Sequence, residues 1–162
     1  MIQPGDKLPD ATLFEMTAEG PKPVQVSKLT RGRRVVIFGL PGAFTPTCSA
    51  KHLPGYVSLA DRLKAKNIDE IVCLSVNDAF VMGAWGREQG AEGKVRMLAD
   101  GNADFCRAMG LEQDLRERGM GIRCQRFSML VEDGVVKTLN VEAPGKFEVS
   151  DAETMLAQLE RL

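Results

Sequence analysis

The sequence has no long hydrophobic run: among its 162 residues the longest apolar stretches are VVIFGL (35–40) and IVCLSV (71–76), far below the roughly 20 residues a membrane span requires. No charge of one sign predominates either. Lys and Arg number 21 against 22 Asp and Glu, a net charge of −1, which leaves no excess field for a phosphate backbone or an anionic membrane, so nucleic-acid and membrane roles are not expected. The opening MIQPGDKLPDATLF lacks the basic start, apolar stretch and small-residue cleavage site of a secretory signal, which predicts a reducing, cytoplasmic setting. Four cysteines, at 48, 73, 106 and 124, are too few and too scattered for a disulfide scaffold, and free thiols in such a setting serve packing or chemistry. No repeat, low-complexity tract or linker parts the chain, so residues 1–162 read as one domain. With 44% apolar and 27% charged residues, that domain can bury a real core.

What is present alternates between two periodicities. After the polar RGRR, VVIFGL is a continuous β-rich run of the kind that forms a strand buried on both faces. The segment PGAFTPTCSAKHLPGYVSLADRLKAKN turns the chain and then spaces Leu53, Val57, Leu59, Ala60 and Leu63 as a helix, with Pro54 able to kink its first turns. IDEIVCLSV predicts a second buried strand, DAFVMGAWGREQGA a helix capped by Asp78, VRMLAD a third strand, and ADFCRAMGL a short helix ended by Gly110. RFSMLVEDGVVKTLNVE reads as a hairpin about Asp133-Gly134, and SDAETMLAQLERL as a closing amphipathic helix with Ser150 as N-cap and Glu153 in capping-box position. The first 30 residues suggest loops with short strands around TLFEM and PVQVSKL. Crossover units followed by a hairpin and a last helix predict an α/β fold of three layers, with a central mixed sheet and helices on both faces. In such sheets function sits where a strand's carboxyl end feeds a helix.

The turn after VVIFGL holds Cys48 in PGAFTPTC, with Pro46 set to open a helix and Cys48 in or next to its first turn. A helix N-terminus presents unpaired N–H groups and partial positive charge, which favours a nucleophilic thiolate; the plainer reading is a small buried hydrophobe. Thr45 has two readings, an N-cap or a hydroxyl beside the sulfur. Pro41 either rigidifies the turn and shields the sulfur or serves only to end the strand. Arg126, read bare, is a solvated charge at the start of a strand.

The stretch PGAFTPTCSAKHLPGYV resembles the active-site segment of peroxiredoxins, with Pro41, Thr45 and Cys48 at the family's spacing of Pro, three residues, Thr, two residues, Cys. Together with VNDAFVMGAW (76–85), GIRCQRFSMLVEDG (121–134) and NVE near the end, the likeness is to the type II or peroxiredoxin-5 subfamily and covers nearly the whole chain. The resemblance implies a thioredoxin-like fold, no cofactor, and reduction of hydrogen peroxide and organic hydroperoxides by Cys48 as the peroxidatic thiolate. It implies that Thr45 lies near that sulfur and that the arginine completing the site is Arg126 rather than Arg123. The sulfenic acid so formed must be reduced by a second thiol. Cys73, 25 residues after Cys48, is a possible resolving residue by analogy with type II members, yet its place inside a strand argues for a core residue, because a disulfide needs Cα atoms within about 7 Å. KFEVSDAE carries no cysteine and no CxxC occurs, so the reductant implied is external, glutaredoxin with glutathione or thioredoxin.

Cys106 and Cys124 read as packing or surface thiols. The only histidine, His52, follows Cys48 by four residues; a metal site would need further ligands at close spacing, so His52 is expected to bond or pack near the site. Met82, Trp85 and Phe80 are either core or, by the resemblance, a contact in a homodimer. Two other functions remain open on the sequence: a redox-sensing interaction protein that forms mixed disulfides through Cys48, and a binding module with inert thiols.

Overall fold

The computed structural model describes residues 1–161. Along the chain run β1 (Thr12–Thr17), β2 (Gly20–Gln25), α1 (Val26–Thr30), β3 (Arg34–Gly39), a π-helical turn (Cys48–His52), α2 (Leu53–Lys64) and β4 (Glu70–Ser75). There follow α3 (Ala79–Glu88), β5 (Arg96–Ala99), α4 (Asp104–Met109), β6 (Glu112–Asp114), a 3-10 turn (Arg116–Arg118), β7 (Ile122–Cys124), β8 (Phe127–Glu132), β9 (Val135–Val141) and α5 (Ala152–Glu160). Seven strands form one mixed sheet in the order β2-β1-β5-β4-β3-β8-β9, and β6 pairs with β7 apart from it. β3, β4 and β5 are parallel, while β8 and β9 add antiparallel at one edge and β1 and β2 at the other.

The central strands β3 and β4 are buried from their second residue onward, because helices cover both sides of the sheet. Since side chains alternate along a strand, Val36, Phe38, Ile71 and Cys73 face one core with Tyr56, Leu63, Met82, Trp85 and Met155 of α2, α3 and α5. Val35, Ile37, Val72 and Leu74 face the other, with Leu29 of α1 and Phe105 and Met109 of α4. This is the three-layer α/β arrangement the sequence predicts. Gly39 at the end of β3 is required by a close approach: a Cβ there would run into the Phe127 ring.

Several local expectations change. The hairpin turns at Asp133-Gly134, both with positive φ (47° and 76°), as the dipeptide predicts. Asp78 caps α3, its carboxylate accepting from the Val81 N–H at 2.8 Å. At α5, however, the cap is Asp151, which accepts from the Thr154 N–H at 3.1 Å, rather than Ser150 with Glu153. Ser150 is engaged elsewhere: its hydroxyl and N–H both donate to Glu142. The predicted closing helix reaches Leu162, which lies outside the described residues. PVQVSKL is divided between β2 and the helical turn α1, and β6 and β7 were not anticipated as a ribbon. Cys106 and Cys124, read as free thiols, are joined in a disulfide with Cα atoms 5.8 Å apart, which ties α4 to β7; both are fully buried.

Candidate active site

The chain leaves β3 at Leu40 and turns through residues 41–45 before the helix opens with Pro46. Two side chains from elsewhere hold this turn. Asn77 Oδ1 accepts from the Ala43 N–H at 3.0 Å and from the Ser75 hydroxyl at 2.6 Å. Arg123 donates to the Pro41 carbonyl at 3.1 Å and, through Nε, to the Met120 carbonyl at 2.8 Å. Phe44 takes φ 64° within the turn, a left-handed conformation uncommon for a bulky residue and characteristic of functional turns. The Thr45 hydroxyl donates to the Gly42 carbonyl at 2.7 Å, which tightens the turn and leaves its oxygen free to accept, and the Thr45 carbonyl accepts from the Ser49 N–H at 2.9 Å.

Cys48 begins the π-helical turn. Pro54 has no N–H to give the preceding carbonyls, and the Leu53 N–H reaches back five residues to the Cys48 carbonyl, the wider ring of a π turn. The Cys48 sulfur is fully buried and packs in the core formed with α2, α3 and α5, so it is more enclosed than a reachable nucleophile was expected to be. Its polar partner is the guanidinium expected from the family arginine. Arg126, between β7 and β8, donates from Nη2 to Cys48 Sγ at 3.2 Å and from Nη1 to His52 Nδ1 at 2.9 Å. A cation donating to the sulfur stabilises negative charge on it. Arg123 lies on the turn instead.

His52 is buried, and its ring faces Phe38 and Phe147 with centroids 5.0 Å from each. Nδ1 accepts from Arg126, so the ring hydrogen resides on Nε2 and is donated to the Ser150 carbonyl at 3.1 Å. Burial, reinforced by the Arg126 charge, pushes the imidazole down to about 3 from its usual 6.5. Both ring nitrogens are therefore used and the ring is neutral. Among the described residues no group of His, Cys, Asp and Glu is placed to hold a metal ion. The folded protein cannot protonate His52 while the unfolded chain does so below about 6.5, so stability present above that pH is lost as pH falls toward 3. One such proton is worth about 1.4 kcal/mol per pH unit. The unfolding free energy of wild type relative to His52→Gln should therefore narrow by about 2 kcal/mol between pH 6.5 and pH 5, measured by urea unfolding; a gap that stays constant counts against the assignment.

Cys73 sits in the middle of β4, opposite Phe38, and is fully buried. Burial, and then the neighbouring Cys48, raise its thiol well above the ordinary range. Met82 and Trp85 are core, whereas Phe80 is 62% exposed. Outside the sulfur a cleft of about 590 Å³ opens, lined by Pro41, Thr45 and Arg126 together with Met120, Glu142 and Phe147. The structure thus gathers Pro41, Thr45, Cys48 and Arg126 at one place and sets Cys73 beneath it in the sheet. The sequence did not single out Asn77, Glu142 or Phe147, and Arg123 was weighed there only as the arginine set aside for Arg126. Asn77 and Glu142 nevertheless lie in VNDAFVMGAW and NVE, two of the segments that carried the resemblance.

The Redoxin family pattern matches residues 3–156. Peroxiredoxin-2E, chloroplastic, of Arabidopsis thaliana is 51% identical over 162 residues, covering 98% of this chain and 69% of the relative. Peroxiredoxin-2B of the same plant is 45% identical over 159 residues and 98% of each chain is covered. The crystal structure of reduced Prx3 in complex with H2O2 from Vibrio vulnificus superposes with a TM-score of 0.95 at 57% identity, covering 98% of this chain and 99% of that one. With its mixed sheet of thioredoxin-like form and a buried cysteine under a guanidinium where β3 ends, the chain belongs to the Redoxin family as a type II peroxiredoxin, a thiol-dependent peroxidase.

Proposed function

We propose that Cys48 is the peroxidatic nucleophile and that hydrogen peroxide and organic hydroperoxides reach it through the cleft bounded by Pro41, Thr45 and Arg126. The observation that carries this reading is the 3.2 Å contact from Arg126 Nη2 to Cys48 Sγ. The Cys48 thiolate attacks one peroxide oxygen, the O–O bond breaks, and the departing alkoxide or hydroxide leaves with the electron pair and takes up a proton. Sulfur becomes a sulfenic acid, oxidised by two electrons. Negative charge grows on the leaving oxygen during this step, where fixed donors lower the barrier most; the second face of the Arg126 fork is the donor available, and the Thr45 hydroxyl, whose hydrogen goes to the Gly42 carbonyl, accepts from the peroxide. A first external thiol then condenses with the sulfenic acid, releasing water and leaving a mixed disulfide, and a second thiol displaces Cys48 as a free thiol.

An external reductant, glutaredoxin with glutathione or thioredoxin, fits Cys73 better than an internal one, because Cys73 is un-ionised and locked in a paired strand, and a thiol attacks only as its thiolate. Residues 1–162 act as one domain in this scheme. A homodimer is supported by three exposed aromatics, Phe14, Phe44 and Phe80, which a second copy would cover. No helix among the described residues is long and apolar enough to cross a membrane, and relatives include proteins named as chloroplastic. Mass spectrometry after one equivalent of hydrogen peroxide tests the scheme. A sulfenic Cys48 without glutathione and a glutathionylated Cys48 with it, both unchanged in Cys73→Ser and seen on a dimer in native spectra, are the expected results. A Cys48–Cys73 bridge in wild type overturns the external reductant, and a native monomer overturns the dimer.

A further inference from the structure

The segment 142–150, between β9 and α5, is wound about one side chain. Glu142 is 7% exposed, and its carboxylate accepts from the Glu148 N–H at 2.9 Å, from the Val149 and Ser150 N–H groups at 2.8 Å each, and from the Ser150 hydroxyl at 2.7 Å. Three successive backbone N–H groups converging on one carboxylate form an anion nest, here closed by the chain's own acid. Burial opposes the charge, yet these donors hold the carboxyl below its usual range. The nest fixes two things that touch the reactive centre. The Ser150 carbonyl accepts from His52 Nε2 at 3.1 Å and from the Tyr56 hydroxyl at 2.9 Å. Phe147, at the crown of the same strap, lies with its ring centroid 5.7 Å from the Arg126 guanidinium carbon and 5.0 Å from the His52 ring.

We infer that Glu142 is a positioning residue for the peroxidase reaction: by folding the strap 143–150 around its carboxylate, it fixes the Ser150 carbonyl and the Phe147 ring, and through them the His52 tautomer and the Arg126 fork over Cys48. The inference rests on the reading of Cys48 and Arg126 above. Each link is a hydrogen bond or ring contact, running Glu142 to Ser150, Ser150 to His52, His52 to Arg126, and Arg126 to Cys48. Tyr56 of α2 donates to the same carbonyl, so the strap must present the Ser150 carbonyl where both the Tyr56 and the His52 donors reach it. A guanidinium free to swing would still be a cation near the sulfur, but it would no longer present its N–H groups where the leaving oxygen develops charge. Misplacement of a group by about 1 Å can cost about 10²-fold in rate.

The test is Glu142→Gln, which keeps one acceptor oxygen but turns an NH2 toward the backbone donors. Two second-order rates of the reduced enzyme are compared with wild type: loss of the Cys48 thiol to hydrogen peroxide and to iodoacetamide. Alkylation needs the sulfur but no donor for a leaving oxygen. The expected result is a fall of about 10- to 100-fold with peroxide and a change of less than about 3-fold with iodoacetamide, with Glu142→Asp intermediate. An unchanged peroxide rate, or equal falls in both rates, overturns the positioning role. If Glu142→Gln does not fold, the Glu142→Asp variant is judged by the same two rates. Failure of the underlying reading looks different, because peroxide would then react as fast with Cys48→Ser as with wild type.

Discussion

The Cys48→Ser protein should consume no peroxide with a thiol reductant, its turnover down by on the order of 10⁴-fold or more, the scale on which enzymes lose a nucleophile. The side chain belongs to the buried cluster that also holds Leu53, Tyr56 and Phe38, and serine is smaller than cysteine, so the fold is expected to tolerate the change. Arg126 keeps an oxygen to donate to, and no buried group is stranded. What disappears is chemistry. A hydroxyl at neutral pH is neither ionised nor polarisable enough to displace an alkoxide from oxygen, and a hydroxyl has no counterpart of the sulfenic acid for a thiol to reduce. Peroxide consumption followed at fixed reductant decides the matter, and retained turnover would remove Cys48 from the mechanism.

The second large effect belongs to Arg126. Arg126→Met should lower the second-order rate with hydrogen peroxide by about 10²- to 10³-fold, the usual consequence of losing one preorganised donor to a developing oxyanion. Two bonds vanish together, the one to Cys48 Sγ at 3.2 Å and the one to His52 Nδ1 at 2.9 Å. Arg126→Lys should recover only part of the loss, since an ammonium supplies the charge but not the planar fork that serves sulfur and imidazole at once. Stopped-flow rates of the three proteins provide the check. A rate for Arg126→Met within about 3-fold of wild type would mean that the guanidinium orders the core without acting on the reaction.

The parts of the fold legible in the sequence were those whose cause is local. VVIFGL and IVCLSV are apolar at every position, so strands buried on both faces follow without knowing their neighbours, and Asp133-Gly134 carries its own turn. Pro41, Thr45, Cys48 and Arg126 were singled out through the family resemblance, and the structure brings the four together. What escaped depends on groups far apart in the chain. Ser150 and Asp151 are equally good cap residues on paper; Asp151 takes the role because Ser150 is drawn into Glu142 and His52 from 8 and 98 residues away. The bond from the Thr45 hydroxyl to the Gly42 carbonyl belongs to a loop that Arg123 and Asn77 hold from far along the chain. Cys106 and Cys124 are unremarkable singly, and become a pair only when α4 is laid beside the β6–β7 ribbon.

One contact of the reactive turn reaches the lone indole of the chain. Trp85, fully buried on α3, donates from Nε1 to the hydroxyl of Ser49 at 3.0 Å, and Gln89 of the next turn donates to the Ser49 carbonyl at 3.2 Å. Any unwinding of residues 48–52 that brings the oxidised sulfur out to a large reductant must break these bonds and exchange a dry partner for water. Trp85 is therefore placed to report such an opening: ultraviolet emission that shifts to longer wavelength on oxidation and returns on reduction is the expected result, and emission that does not move would mean that the turn stays wound.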